Sequence, residues 1–282
     1  MPRALSRSSI GDALDSAVIA LTAAGCESPR LDAELLLAEA LGVDRAVVIA
    51  DPGRGVESDA ARRFADMARR RREREPVAYI LGRKGFRTIE LAVDSRVLVP
   101  RPETEHVVEA ALDLPPGARV ADVGTGSGAI ALALKTERPD LDVVGTDLSA
   151  DSLAVARANG ERLGSGVEFL LGDLLEPVSG PLYAVVSNPP YVAEGDWPRL
   201  APEIVRHEPA EALLAGPDGM AVFSRLVPAA AARGVRFVAL EVGEGQAAYV
   251  SELLRAAGYE RVEVQRDLAG IERVVVGHGD PV

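Results

Sequence analysis

Asp122-Val123-Gly124-Thr125-Gly126-Ser127-Gly128 follows a short apolar run and leads into Ala129, from which a helical pattern continues to Thr136. Three alternating glycines permit a tight turn and close backbone approach to a ligand, and the helix that follows offers unpaired N–H groups to a carboxylate or phosphate. This turn decides the fold because the chain downstream keeps alternating between strand and helix patterns. Strands are predicted over residues 119–123, 142–147, 167–171, 183–188, 236–242, 261–265 and 272–276. Helices are predicted over 129–136, 149–163, 219–232 and 246–257. Such alternation implies an α/β unit with a Rossmann-like, mostly parallel sheet of seven strands covered on both faces. The last two strands are joined only by a short segment through Asp267 and Gly270, too short for a crossover helix, so an antiparallel last strand is expected.

Upstream the pattern is helical. Ser9 is placed to cap a helix with the stripe Ile10, Ala13, Leu14, Ala17 and Leu21, closing near Gly25; Ser28 and Pro29 suit the start of a second helix ending at Gly42. A short helix over 44–49 and a long one from Ser58, with Ala61, Phe64, Ala65 and Ala68 inward, complete a small bundle. After Pro76 two strand-like runs, 86–91 and 95–99, predict a hairpin turning near Val93, Asp94 and Ser95. The expected division is therefore a helical domain over 1–84, a β-hairpin connection over 85–98 and an α/β domain over 99–282.

The spacing of the glycine loop discriminates between ligands. Dinucleotide folds prefer G-x-G-x-x-G, whereas G-x-G-x-G, here Gly124, Gly126 and Gly128 with Thr125 and Ser127 between, suits the aminocarboxypropyl end of S-adenosylmethionine, which has no pyrophosphate. Asp147 lies 19 residues after Gly128 at the end of the next strand, where a carboxylate accepts hydrogen bonds from both ribose hydroxyls. An N-cap role for the following helix is compatible with that. Asp173, after the third strand, is a candidate acceptor for an adenine amino group, with Leu174 against the ring.

Ser187-Asn188-Pro189-Pro190-Tyr191 comes straight after the strand-like run Tyr183 to Val186. Ligands of open α/β sheets bind beyond the carboxyl ends of the strands, so this loop is expected to share a crevice with the glycine loop. An amide or aryl amine nitrogen is a poor nucleophile because its lone pair is delocalised. The Asn188 side-chain oxygen and the Pro189 carbonyl are suited to accept its two hydrogens, directing the nitrogen in line and stabilising developing positive charge. Consecutive prolines stiffen the carbonyls, and Tyr191 is suited to pack on a planar acceptor.

Asp122 to Gly128, Asp147 and Asn188 to Tyr191 together resemble the HemK/PrmC family of protein-(glutamine-N5) methyltransferases. The resemblance extends to residues 74–82, to Leu98-Val99-Pro100-Arg101-Pro102-Glu103-Thr104-Glu105, to His207-Glu208-Pro209 and to 270–274. It implies a class I S-adenosylmethionine-dependent methyltransferase fold. It also implies transfer of a methyl group from S-adenosylmethionine, leaving S-adenosylhomocysteine, to the glutamine of the Gly-Gly-Gln motif of class-1 peptide-chain release factors. Cofactor contacts would fall at Gly124 to Gly128, Asp147, Leu174 and Asn188, and the acceptor glutamine at Asn188 to Tyr191. Some relatives carry a bulky aromatic where Leu174 stands. The 100–105 segment either caps the following helix or also forms a lip over the cofactor.

Composition bears on the alternatives. With 31 Lys+Arg against 43 Asp+Glu the net charge is -12, and residues 1–84 hold 14 and 13 of these, so the acidity lies in the α/β part. An N6-adenine DNA methyltransferase faces the same planar nitrogen, but it needs phosphate contacts that such a surface lacks. A non-catalytic S-adenosylmethionine-binding adaptor would have no use for an intact Asn-Pro-Pro-Tyr loop. Arg69 to Arg72 with Arg74 read either as a solvated face or as a dock for an acidic partner. Cys26 is the only cysteine, which excludes an intramolecular disulfide and fits a reducing cytoplasm; His207 has no neighbouring metal ligand, and no metal is expected. Met1 to Ser9 lacks the apolar core of a leader, no stretch reads as a membrane span, and a monomer suffices.

Overall fold

A computed structural model describes residues 9–279, so the reading of the N-terminal stretch lies, apart from Ser9, outside the described residues. The chain forms two compact units, one of Met1–Gly82 with Pro202–His207, the other of Arg83–Ala201 with Glu208–Val282. The division expected from sequence did not include the Pro202–His207 segment in the helical part.

The first unit contains α1 (Ile10–Ala23), α2 (Pro29–Leu41), α3 (Arg45–Ala50), α4 (Ser58–Arg72) and α5 (Val77–Leu81). Ser9 and Asp12 form a reciprocal capping box, Asp44 caps α3, and Gly42 ends α2 in the left-handed conformation. Ile10, Leu14, Leu21, Leu36, Leu37 and Phe64 fill the core, with Cys26 buried beside them. The inward face of α4 differs from the expected one: Ala60, Phe64 and Arg71 are buried, whereas Ala65 is exposed. Nor do the five arginines form one exposed face. Arg71 donates to Asp32 at 2.7 Å and pairs with Glu203 at 2.8 Å, Arg74 pairs with Glu203 at 2.5 Å, Arg70 with Glu75 at 2.5 Å, and Arg69 with Asp66 and Glu73. Their charge is largely spent within the unit.

The second unit opens with a hairpin, β1 (Arg83–Phe86) and β2 (Ile89–Ala92). The sequence expectation was a hairpin turning near Asp94. The turn is instead at Arg87 and Thr88, with Arg87 at φ 48°, and residues 95–99 are not a strand. The alternation in the second run misled because Val93, Val97 and Val99 are buried by tertiary packing rather than by strand pairing. Asn159 accepts from the Ala92 N–H at 2.8 Å and donates to the carbonyls of Ala92 and Ser127, tying the hairpin to the glycine loop.

Then come α6 (Glu105–Ala111), β3 (Arg119–Val123), α7 (Ala129–Glu137), β4 (Asp142–Asp147), α8 (Ala150–Leu163), β5 (Glu168–Leu171) and β6 (Ala184–Ser187). After α9 (Pro202–His207), which belongs to the first unit, α10 (Ala221–Ala232), β7 (Phe237–Glu241), α11 (Ala247–Ala256), β8 (Arg261–Arg266) and β9 (Glu272–His278) complete the chain. The seven-stranded sheet has the order β5-β4-β3-β6-β7-β9-β8, and β9 alone runs against the direction of the other six. β6 and β7 are buried at every position, as strands covered on both faces must be. The chain passes from β3 to β4 on one side and returns to β6 on the other, so the carboxyl ends of β3 and β6 flank the switch point of the sheet.

Removing the Arg71 guanidinium would strand the largely buried Asp32 carboxylate and take one of its two arginines from Glu203, which keeps Arg74. Arg71→Ala should therefore cost on the order of 3 kcal/mol in urea unfolding, whereas Arg69→Ala should leave the unfolding midpoint unchanged.

Candidate active site

The glycine loop leaves β3 with its backbone hydrogen-bonded to the adjacent strand: the N–H groups of Gly124 and Thr125 both donate to the Thr146 carbonyl at 2.9 Å. Gly124, Gly126 and Gly128 have φ of 71°, 55° and 83°, the left-handed region open to glycine. A Cβ on Gly124 or Gly126 would meet no atom within 4 Å, because both line an open cleft. Asp122 braces the loop from beneath. It is fully buried, accepts from the Thr125 hydroxyl at 2.6 Å and the Ala131 N–H at 3.0 Å, and is pushed up to about 7 by that burial.

Asp147 ends β4 facing the same cleft. One carboxylate oxygen accepts from Gly126 N–H and the other from Ser149 N–H, each at 2.9 Å. Burial raises its pKa above the usual carboxylate range, and these N–H groups oppose the shift. Asp147 is not the N-cap of α8; Ser149 is, accepting from Ser152 N–H. The carboxylate is thus oriented by backbone, with lone pairs left for a ligand.

Asp173 and Leu174 line the cleft beyond β5. Leu174 is held at φ 47° while its carbonyl accepts from the Thr146 hydroxyl at 2.8 Å. Asp173 forms an ion pair with Arg225 that the sequence did not foretell, and its Oδ1 is buried without a partner. A buried acceptor with no donor, in a cleft with apolar walls at Leu98, Leu174 and Val222, fits the edge of a planar heterocycle carrying an amino group.

On the other side of the switch point the Ser187 hydroxyl donates to the Val123 carbonyl at 2.6 Å, locking the ends of β6 and β3 together. Asn188, Pro189 and Pro190 then line the same cleft as Gly124 and Asp147. Asn188 donates from Nδ2 to Thr104 Oγ1 at 3.0 Å. Tyr191 donates its hydroxyl to Glu241 at 3.3 Å, and its carbonyl accepts from Gln246 at 2.8 Å. The loop is pinned on both sides. Val192 exchanges backbone hydrogen bonds with Leu213 and Ala215, while Glu208 accepts from Val99 N–H and pairs with Arg101, holding the 100–105 segment. That segment forms a 3-10 turn, Pro102–Thr104, and delivers Thr104 to Asn188.

Sequence reasoning missed Thr104, Glu241, Arg225 and Asp122 as members of the site. Thr104 lay inside a quoted motif and Asp122 headed another, but only pairing across the fold reveals what they touch. A more voluminous groove, about 650 Å³, includes Tyr183, Arg236 and Phe237, at the amino ends of β6 and β7, opposite the end where such sheets bind ligands.

A parallel sheet with one reversed strand beside its edge, and a glycine loop and Asn-Pro-Pro-Tyr loop meeting at the switch point, defines a class I S-adenosylmethionine-dependent methyltransferase. Two solved structures share the fold: a methyltransferase from Pyrococcus furiosus (TM-score 0.51, 19% identity, 67% of this chain and 87% of the other) and the hMettl16 catalytic domain in complex with a 3'UTR hairpin (TM-score 0.57, 18%, 78% and 83%). A family model described as PrmC N-terminal domain matches residues 12–82, and one described as Methyltransferase small domain matches 104–247. The release factor glutamine methyltransferase of Deinococcus radiodurans is 42% identical over 94% of this chain and 96% of its own. Those of Rhodospirillum rubrum and Caulobacter vibrioides are each 39% identical, over 95% and 92% of this chain and 84% and 92% of their own. The chain belongs to the release factor glutamine methyltransferase family.

The placement of Tyr191 depends on one glycine. A Cβ on Gly219, at φ 77°, would stand 2.3 Å from the Tyr191 carbonyl oxygen, whereas one on Gly245, also at positive φ, would meet nothing. Gly219→Ala should lose about 2–3 kcal/mol in urea unfolding against about 1 kcal/mol for Gly245→Ala, which carries backbone strain alone.

Proposed function

We propose that this protein methylates the side-chain amide nitrogen of the glutamine in the Gly-Gly-Gln motif of class-1 peptide-chain release factors. The observation that carries the reading is the Asn188 side chain: with Nδ2 committed to Thr104, Oδ1 is left as a free acceptor at the cleft that holds Asp147. S-adenosylmethionine, when bound, supplies an electrophilic methyl group on a sulfonium. Gly124, Thr125, Gly126, Ser127 and Gly128 receive its aminocarboxypropyl end, Asp147 its ribose hydroxyls, and Asp173 and Leu174 its adenine; Asn188 bounds the same space.

Asn188 Oδ1 and the Pro189 carbonyl accept the two amide hydrogens of the acceptor glutamine, which aims the nitrogen and stabilises the charge it gains. Pro190 keeps the loop rigid, and Tyr191 supports the planar amide. Because a neutral nucleophile meets a cationic donor, the proton can leave after transfer, and the reading needs neither a strong general base nor a metal. The helical unit recognises the release factor, in the cytoplasm and as a monomer. Support comes from the family match over residues 12–82, not from the arginines of α4, which are paired internally. DNA is disfavoured by the acidity of the α/β part.

Incubation with labelled S-adenosylmethionine and a purified release factor, followed by peptide mass spectrometry, should show one methyl group on the Gly-Gly-Gln glutamine; label in DNA instead would overturn the reading. Asn188→Ala should slow transfer by on the order of 3 kcal/mol with cofactor affinity retained, and unchanged turnover would remove its assigned role. Asp147→Ala should weaken S-adenosylmethionine binding by about 2 kcal/mol in calorimetry.

A further inference from the structure

Asp173 is fixed at its backbone and, but for one contact, free at its side chain. Gly172 N–H donates to the Asp147 carbonyl at 3.0 Å, and the Asp173 carbonyl accepts from Glu176 N–H at 2.9 Å, so the turn after β5 is held on both sides. Among the described residues, Arg225 is the one hydrogen-bond partner of the carboxylate: Nη2 donates to Oδ2, while Oδ1 is buried with no partner. The two residues are 52 apart in sequence, and both border the cleft. Val222, three residues before Arg225 on α10, shares its face of the helix and borders the same cleft, whose apolar walls include Leu174.

A heterocycle lying against Leu174 and Val222 would cover the Asp173 carboxylate. Covering a lone carboxylate with an uncharged ring is unfavourable, because the charge loses water and gains only a neutral donor. The Arg225 guanidinium supplies the countercharge, occupies Oδ2 and leaves Oδ1 as the acceptor. More than half of the Arg225 side chain is exposed, so the pair adds little to stability and acts on direction instead. Without the guanidinium, a carboxylate side chain already 24% exposed can turn to water rather than stay under the ring.

We propose that Arg225 is a positioning residue that commits Asp173 Oδ1 to the amino group of the cofactor's adenine, so that the cleft selects a 6-amino purine. This rests on the assignment of Asp173 to adenine given above. An amino N–H satisfies Oδ1. A purine without the amino group leaves that oxygen buried and unpaired, and the penalty is the source of the selection.

The test is calorimetric binding of two ligands to the full chain: S-adenosylhomocysteine, and its analogue with hydrogen in place of the 6-amino group. The wild-type protein should prefer the first by about twentyfold. Arg225→Ala should bind S-adenosylhomocysteine about tenfold more weakly and the analogue within about twofold of wild type, leaving little preference. Arg225→Lys keeps the charge and should recover most of the preference. An Arg225→Ala that keeps the preference, whether with wild-type affinities or with both ligands weakened alike, would overturn the role of Arg225, as would an Arg225→Lys no better than Arg225→Ala. Asp173→Ala should lose the preference, and adding Arg225→Ala to it should change neither affinity further. A preference retained in Asp173→Ala would instead sink the underlying assignment to adenine, whereas one lost in Asp173→Ala and kept in Arg225→Ala sinks only the positioning.

Discussion

The parallel pairing of β3 with β6 is the contact on which the site depends. Crossover helices carry the chain from β3 to β4 on one side and bring it back to β6 on the other, so no helix covers the space above the carboxyl ends where the two strands meet. The register sets Asp122 opposite Val186, and the Ser187 hydroxyl closes the end of β6 onto Val123. A slip of one residue would reverse the face of every side chain near the cleft. It would also pull the glycine loop away from the Asn-Pro-Pro-Tyr loop, which the chain itself holds far apart in sequence.

Around that pairing the molecule buries carboxylates that apolar residues would replace at less cost in stability. Asp122, Asp173 and Glu241 each keep an oxygen without a partner. Such atoms are expensive in a folded protein, and their retention follows the cleft. Asp122 holds the glycine loop through Thr125 and Ala131, Asp173 borders the cleft beside Arg225, and Glu241 backs the Asn-Pro-Pro-Tyr loop. The helical unit uses its buried charge differently. Arg71 has carboxylate partners on α2 and α9, and there the ion pairs join segments distant in sequence rather than serve a ligand.

Much of this was legible before any coordinate. The spacing of Gly124, Gly126 and Gly128, the strand-end position of Asp147 and the Asn188 to Tyr191 loop identified the fold class and cofactor, because each is a local requirement of backbone geometry. Asp142–Asp147 and Arg119–Val123 are the predicted strands residue for residue. The hairpin register was not legible: Val93, Val97 and Val99 alternate as a strand would, but they are buried by packing. The pairing of the arginines was hidden for a related reason, since Glu203 lies 129 residues from Arg74 and no periodicity links them.

What the sequence determined by itself was the alternation of strand and helix from Arg119 onward and which residue types stand at the strand ends, since glycine, proline and apolar period act over a few residues. Which side chains meet was decided only by the tertiary structure. Thr104, Asn188, Tyr191 and Glu241 come from a 3-10 turn, a loop and the end of a strand, and only the sheet order brings Asn188 to Thr104 and Tyr191 to Glu241. Hydrogen bonds reach about 3 Å and depend on direction, so their partners follow from the assembled fold and not from the order of residues along the chain.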